Sequence, residues 1–268
     1  RQRYGLDDPF IVQYVHWLTG VFQGNFGYSL VSQHSIADDL ADKVPNTVIL
    51  VVPAYLAALG LGIGAGLIAG ANRGRKIDGV IDTGLALGIS MPTFWFALLV
   101  IYLFGYWLRW FPIIGMHSVG RTDLPDLLAH LAMPCLVLTV AFFPDLGRYV
   151  RSATISQLDQ DYVMVQRAYG SPERAIFRRH VVCHVLLPVV TQIGLALPML
   201  VVGAVITETI FAWPGAGRYF LDAIRAMDYP VVMAVLLLAS ALVIGGNLLA
   251  DVLYRVVDPR IRLTAATA

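Results

Sequence analysis

The chain has 268 residues, of which 57% are hydrophobic and 14% charged, with mean hydropathy +0.69 and a formal net charge of +1. A water-soluble domain carries about 25% charged residues, so this chain has too little polar surface to face water on every side, and its net charge gives no support to a nucleic-acid partner. Cys135 and Cys183 stand in or beside apolar blocks without metal-ligand spacing, which argues against a disulfide framework or a metal centre.

Residues 1–46 read as an extracytoplasmic segment with short helices. Asp8-Pro9 fits a helix start, and Phe10, Ile11, Tyr14, Val15, Leu18 and Val21 recur at helical spacing. A second short helix is expected near Ile36–Lys43, and both are expected to lie against the outer membrane face or to cap the bundle.

Residues 47–256 read as a transmembrane domain, an all-α polytopic helical bundle. Blocks of about 20 apolar residues span a bilayer, and five such blocks run Thr47–Ala71, Val80–Leu108, Leu131–Val150, Val182–Thr207 and Val231–Val256. Pro53, Pro92, Pro134, Pro144, Pro188 and Pro198 fall inside them and are read as packing kinks, since neighbouring helices can re-satisfy the freed carbonyls. The small-residue row Gly60, Gly62, Gly64, Gly66 and Gly70 predicts a close helix contact. Asp145 and Arg148 predict a local ion pair at i,i+3 in the third span. Residues 257–268 form a C-terminal tail.

Basic residues set the orientation. The loops after the first and third spans and the C-terminal tail lie on one side and hold 12 of the 19 basic residues, including Arg73, Arg75, Lys76, Arg148, Arg151 and Arg167. That side is therefore expected to be cytoplasmic, which leaves residues 1–43 outside. An outer segment of that length needs a device to carry it across, and no signal peptide stands at Arg1. A further membrane helix upstream of this chain is the expectation.

The longest cytoplasmic segment, residues 151–181, is too long for a simple helix connection. Ser156–Ala168 is helical in composition, and Gly170 permits a turn that other residues resist. Ser171 fits an N-cap and Pro172 the first helical position, with Glu173 and Arg174 opening a short basic helix. Such a short helix, held away from the membrane by two longer ones, suits a soluble partner that moves. A basic cytoplasmic loop with no partner would have the same composition.

Across the chain, several segments resemble one family. Asp161-Tyr162-Val163, Arg167 to Arg174, Arg179-His180 and Leu186 to Thr191 resemble the coupling loop of bacterial ABC-importer permeases, of the dipeptide/oligopeptide/nickel family in its first-permease type. Leu6 to Pro9 with Gln13-Tyr14, Ser90 to Trp95, Glu208 to Arg218 with Asp228-Tyr229-Pro230, and Asp258 to Arg262 are similar to four further segments of that family. The chain departs from it at Gln166 to Gly170, where Ala-Arg-Ala-Lys-Gly is usual, and at Cys183-His184, where Arg-Asn is common.

The resemblance implies an ABC importer type I permease fold, with five transmembrane helices here and six in the full protein. It implies a bacterial cytoplasmic (inner) membrane location, a homologous second permease, two cytoplasmic ATPases that bind ATP and magnesium, and an extracytoplasmic solute-binding protein. Ala168, Gly170, Ser171, Pro172, Glu173, Arg174, Ile176 and Phe177 would form the ATPase-coupling helix and its turn, with Ile176 and Phe177 supplying buried contact and Glu173 and Arg174 a polar rim.

In the outer loop 208–230, Glu208, Phe211, Trp213, Pro214, Gly215, Gly217 and Arg218 read either as an aromatic belt around a tight turn or as an outer gate that meets the binding protein. Met91, Phe94 and Trp95 read either as core at helical spacing or as lining of the translocation path. Cargo is expected to be di- or oligopeptides, with nickel, glutathione or opines as alternatives.

Two other classes compete. An intramembrane enzyme would need a catalytic motif such as H-E-x-x-H or G-x-S-x-G, which the chain lacks, and His130, His180 and His184 are not clustered with carboxylates in a way that suggests metal ligands. A stand-alone ion-coupled carrier would carry charge at its span centres, and these spans are nearly free of it. The chain also lacks the P-loop pattern G-x-x-x-x-G-K-[ST], so ATP use is expected in partner subunits and no cofactor in this chain.

Overall fold

In the computed structural model, residues 9–195 and 204–257 are described. Among them the chain is helical, with one isolated antiparallel bridge between Tyr28 and Ser35. A short helix α1 (Phe10–Phe22) precedes α2 (Ile36–Ala71), whose N-cap Ser35 accepts a hydrogen bond from the Asp38 amide and whose first turn holds Asp38 and Asp39. The expected short helix near Ile36–Lys43 and the first span are thus one continuous element. Pro45 and Pro53 both lie within α2 without ending it.

The second predicted span does not run straight. It divides into α3 (Lys76–Ser90) and α4 (Thr93–Val100, continued as a π-helix over Ile101–Trp107), which meet at an angle of 99°. Met91 (ψ 120°) and Pro92 (ψ 129°) are both extended. A proline drives its preceding residue out of the helical region and offers no N–H to continue the ladder, so Pro92 breaks this helix where Pro45 and Pro53 do not break α2.

Helix α5 (Leu124–Leu158) contains the third predicted span and extends well beyond it at both ends. α6 (Asp161–Ala168), α7 (Glu173–Ile176) and a π-turn (Phe177–Val181) lead into α8 (Val182–Leu195). The fourth predicted span, Val182–Thr207, is seen as α8 and the start of α9 (Val205–Ile210), and its part at 196–203, with Pro198, lies outside the described residues. α10 (Ala216–Arg225) and α11 (Tyr229–Val257) complete the described residues.

By length and apolarity α2, α5 and residues 229–249 of α11 can each cross a bilayer, and the bent α3–α4 pair makes a fourth candidate. The central packing is α2 against α5. Of the glycine row, only the positions spaced by four form the seam. A Cβ on Gly66 would lie 2.6 Å from Gly147 O and from Val150 Cβ, and one on Gly70 would lie 2.5 Å from Thr154 Cβ. Gly62 meets Leu146, whereas Gly60 and Gly64 have open space. The seam follows from the helical repeat, which puts residues i and i+4 on one face.

The two ends of the bundle are chemically distinct. At one end Arg151 donates to Asp78 at 2.6 and 3.1 Å, the Gly74 amide donates to Asp78 at 2.9 Å, and Arg73 pairs with Asp159 at 3.0 Å. These contacts tie the α2–α3 turn to the end of α5, beside the Gly170 turn. At the other end α10 packs beside the starts of α2 and α11, with α9 against α10. The Asp145–Arg148 pair does not form among the described residues; both side chains are exposed on α5 and face away from the packed seam.

Candidate functional site

The Gly170 turn is built by a Schellman closure of α6. The Gly170 amide donates to Arg167 O at 3.0 Å and the Ser171 amide to Gln166 O at 3.1 Å, with Gly170 at φ +74°. Where many such turns carry an apolar contact, Ser171 Oγ instead donates to Gln166 Oε1 at 3.0 Å. Ser171 is therefore committed to closing α6, and Pro172 (φ −66°, ψ 139°) is the N-cap residue of α7. This corrects the expectation of a Ser171 cap and of Pro172 inside the helix.

A two-pronged ion pair spans the turn. Arg167 Nε donates to Glu173 Oε1 at 2.6 Å and a terminal nitrogen donates to Oε2 at 3.2 Å. The hydrogen bonds from Arg167 hold the Glu173 carboxyl below the ordinary glutamate range. Arg167, Glu173, Arg174 and Phe177 line an open cleft that also reaches Ala71 and Leu158, so the turn sits beside the end of α2.

Burial sorts the residues expected to form the coupling turn into two groups. Ala168, Gly170, Pro172, Glu173 and Arg174 are exposed, Ser171 and Phe177 are half-buried, and Ile176 is 1% exposed. Ile176 packs with Val150, Val163, Val181, Val185 and Val189, joined by Leu59 of α2. It therefore anchors the turn to the bundle and offers nothing to a partner, which corrects its expected role as a contact. The apolar side chains that do face outward here are Met164 (69%), Val165 (50%) and Tyr169 (83%). Their signal was present in the sequence as apolar residues on the side of α6 away from Val163.

At the other end, Glu208 is fully buried. Its Oε1 accepts from Thr47 Oγ1 at 2.7 Å and its Oε2 from the Arg218 amide at 2.8 Å. Thr47 Oγ1 in turn accepts from the Ala216 amide at 2.8 Å. The carboxylate thus sits against the first amides of α10, where the helix leaves donors unsatisfied and its dipole favours negative charge. A Cβ on Gly215 would lie 2.4 Å from Glu208 Cδ, and one on Gly217 would lie 3.0 Å from Oε2, so both glycines make room for the carboxylate.

Trp213 and Phe211 are buried as well. Trp213 Nε1 donates to Asn46 O at 2.9 Å, and Asn46 Nδ2 returns a bond to Pro214 O at 3.0 Å. Of the seven residues expected in this loop, Pro214 and Arg218 alone keep partial exposure. Thr47 and Asn46 complete the lock and were not singled out from sequence, because their partners lie more than 160 residues away.

Met91, Phe94 and Trp95 do not share one helical stripe, since they straddle the break between α3 and α4. Phe94 and Trp95 are 54% and 48% exposed and Met91 is half-buried. Next to them, Thr93 lines a cavity of about 300 Å³ with Leu138, Ala141, Phe142 and residues 204–207. Among the described residues no group of three His, Cys, Asp or Glu side chains converges as metal ligands would.

Comparison with known proteins agrees with this architecture. The family described as "Binding-protein-dependent transport system inner membrane component" matches residues 62–263. The chain is 38% identical to the oligopeptide transport system permease protein AppB of Bacillus subtilis (strain 168), over 97% of this chain and 83% of that protein. It is 38% identical to the di/tripeptide transport system permease protein DppB of Pseudomonas aeruginosa (strain UCBPP-PA14), with the same two shares. It is 35% identical to the glutathione transport system permease protein GsiC of Escherichia coli (strain K12), over 98% of this chain and 83% of that one. Among solved structures, an inward-facing form of the MetNI methionine ABC transporter superposes with TM-score 0.63 at 18% identity, covering 82% of this chain and 96% of that one. A seam of glycines between two long helices, a broken helix and a capped turn at one end thus have their place in a recognised frame, and the chain belongs to the binding-protein-dependent transport system inner membrane component family.

Proposed function

We propose that this chain is a permease subunit of an ATP-binding-cassette importer for di- or oligopeptides, driven by separate ATPase subunits that dock on the Gly170 turn. The observation that carries the docking reading is the pairing of exposed Tyr169, Met164 and Val165 with buried Ile176. The first three give a partner an apolar surface, and the last ties that surface to α5 and α8, so a push on α6 reaches the membrane helices. The peptide cargo is supported by relatives whose names specify oligopeptides, di/tripeptides and glutathione.

In this reading a second, homologous permease covers much of the exposed apolar surface, and a solute-binding protein meets the opposite end of the bundle. Of the seven residues singled out in the outer loop, Pro214 and Arg218 are the two able to touch it, while Glu208, Phe211 and Trp213 hold the loop in shape. The Gly170 end is cytoplasmic. The space around Thr93, Phe94 and Trp95 borders the translocation path. ATP and magnesium belong to the partner ATPases.

Proteoliposomes holding the assembled complex test the reading. ATP inside and binding protein with a labelled tripeptide on the other side should give uptake that stops when this chain carries Tyr169→Asp. Uptake driven by an ion gradient without ATPases would refute it, and ATP-driven uptake of another solute class with no peptide uptake would refute the cargo alone.

A further inference from the structure

Helix α1 is the described helix of more than ten residues with no buried residue at all. Phe10, Ile11 and Phe22 are 81%, 75% and 83% exposed. At 100° per residue, Phe10, Tyr14, Leu18, Ile11, Phe22 and Val15 fall within one arc of about 140°, and Gln13, His16, Thr19 and Gly20 fall on the other side. In water such a surface carries a cost that an isolated helix of this length does not recover.

The charge pattern identifies what covers it. From Pro9 to Ala37 there is no Asp, Glu, Lys or Arg, although Arg3, Asp7 and Asp8 precede the stretch and Asp38 and Asp39 follow it. At the chain's own 14% charged content, about four would be expected in such a length. The uncharged run of the same length, Val44–Asn72, belongs to α2, which is long and apolar enough to cross a bilayer. A protein-docking surface that must also meet water commonly has charged residues in its polar rim, and the rim of α1, formed by Gln13, His16 and Thr19, has no Asp, Glu, Lys or Arg.

Length then fixes how it meets lipid. Its 13 residues span about 20 Å, short of the hydrocarbon thickness of about 30 Å. The chain after it is fastened to the end of α11. Asp228, immediately before α11, accepts from Ser29 Oγ and from the Leu30 amide at 3.1 Å, and Phe26 packs on the cluster of Ile36, Val231 and Val235. That fastening puts α1 at the level where α11 enters the membrane. Tyr14 and Trp17 pack against one another there, and such amphipathic rings favour the headgroup level.

We propose that α1 lies in the plane of the bilayer interface, in the leaflet opposite the Gly170 turn, with its Phe10–Ile11–Phe22 arc in the acyl boundary. It acts as an in-plane anchor for the ends of α2 and α11. Because the helix has no Lys or Arg, the anchor binds zwitterionic and anionic lipid equally. This goes beyond the transport reading and requires only that the chain is a membrane component.

The test uses the assembled transporter in lipid nanodiscs, with Cys135→Ser and Cys183→Ser as background. Single variants Ile11→Cys, Phe22→Cys, His16→Cys and Thr19→Cys carry an environment-sensitive fluorophore, and the lipids carry a nitroxide near the top of the acyl chain. Quenching at Ile11 and Phe22 should exceed that at His16 and Thr19 at least threefold, and should be the same in phosphatidylcholine alone and with one-third phosphatidylglycerol. Weak quenching at all four sites, or quenching at Ile11 and Phe22 that appears only without the binding protein or the second permease, overturns the proposal. Should the cysteine-free background not assemble, a photo-crosslinking residue in place of Ile11 in the otherwise unaltered chain gives the second reading. Lipid adducts support the anchor and adducts to a protein partner refute it.

Discussion

Thr47 and Glu208, 161 residues apart, share a hydrogen bond of 2.7 Å in the buried centre of the lock between α2 and the 208–218 turn. The same hydroxyl oxygen accepts the Ala216 amide, so one threonine joins the carboxylate, the start of α10 and the body of α2. No bulk solvent reaches the carboxylate, and its acceptors are spent on α2 and on the first turn of α10.

Replacing Thr47 with valine keeps the shape and removes that hydroxyl. Left without a donor on Oε1 and an acceptor for Ala216, the lock should lose about 1–3 kcal/mol. A lower unfolding temperature of the detergent-solubilised complex measures this. Gly215→Ala should be at least as harmful, since its Cβ falls on the carboxylate. A Gly215→Ala variant as stable as the parent would show that the loop is free to rearrange.

At the opposite end, Gly170→Val forces a β-branched residue to φ +74°, although space around the position is open. The cost is conformational, about 1–2 kcal/mol, and should displace the turn without unfolding the bundle. ATP hydrolysis by the complex should persist while uptake falls at least tenfold. Gly170→Asn, which tolerates the left-handed region, should retain most uptake.

Ile176 and Tyr169 separate anchoring from docking. Ile176→Ala opens a void inside the Val150–Val163–Val185 cluster and should cost about 2–5 kcal/mol in stability. Tyr169→Ala, at a site 83% exposed, should leave the melting temperature unchanged and weaken ATPase association in a pull-down titration. A stable Ile176→Ala protein with weakened association would reverse the two assignments.

Glu173 sets a pH limit on the turn. Its folded pKa is lowered by Arg167, so the stabilisation it gives is present above the ordinary glutamate value of 4.5 and is lost as pH falls through the lower folded value. Protease cleavage of the 168–175 loop should be constant from about pH 8 to about pH 5 and increase below that. Glu173→Gln should show raised cleavage throughout, without the acid-dependent step.

Glycines on α2 provide a paired control. Gly66→Ala puts a methyl group 2.6 Å from Gly147 O and should destabilise by about 1–3 kcal/mol. Gly64→Ala, two residues away in open space, should be neutral or stabilising by about 0.5–1 kcal/mol. Equal effects of both would mean that the α2–α5 seam does not close as described.

Hydropathy located the long helices, because apolar runs bounded by basic loops admit few alternatives. The Gly170 turn was legible for a similar reason, since only local chemistry is needed to close it. Ser171 was misassigned within that turn because two backbone schemes compete for one short polar residue, and a glutamine five residues earlier decides between them. The bend at Pro92 was read as a kink because proline inside an apolar run looks the same whether the helix bends or stops. Pro45 and Pro53 carry the same residue type and the helix continues through both. Glu208 was read as part of an interfacial belt or outer gate because nothing near it in sequence announces Thr47. Ile176 was given to a partner because burial by one's own chain and burial by another have one composition.

The contact along Gly62, Gly66 and Gly70 lets the Leu146, Val150 and Thr154 side chains of α5 sit directly on the backbone of α2. A joint of that kind leaves little slack, since one added methyl group at Gly66 or Gly70 already meets its neighbours. The two helices should therefore shift together as one body, and sliding of one along the other would have to lift those side chains off the backbone.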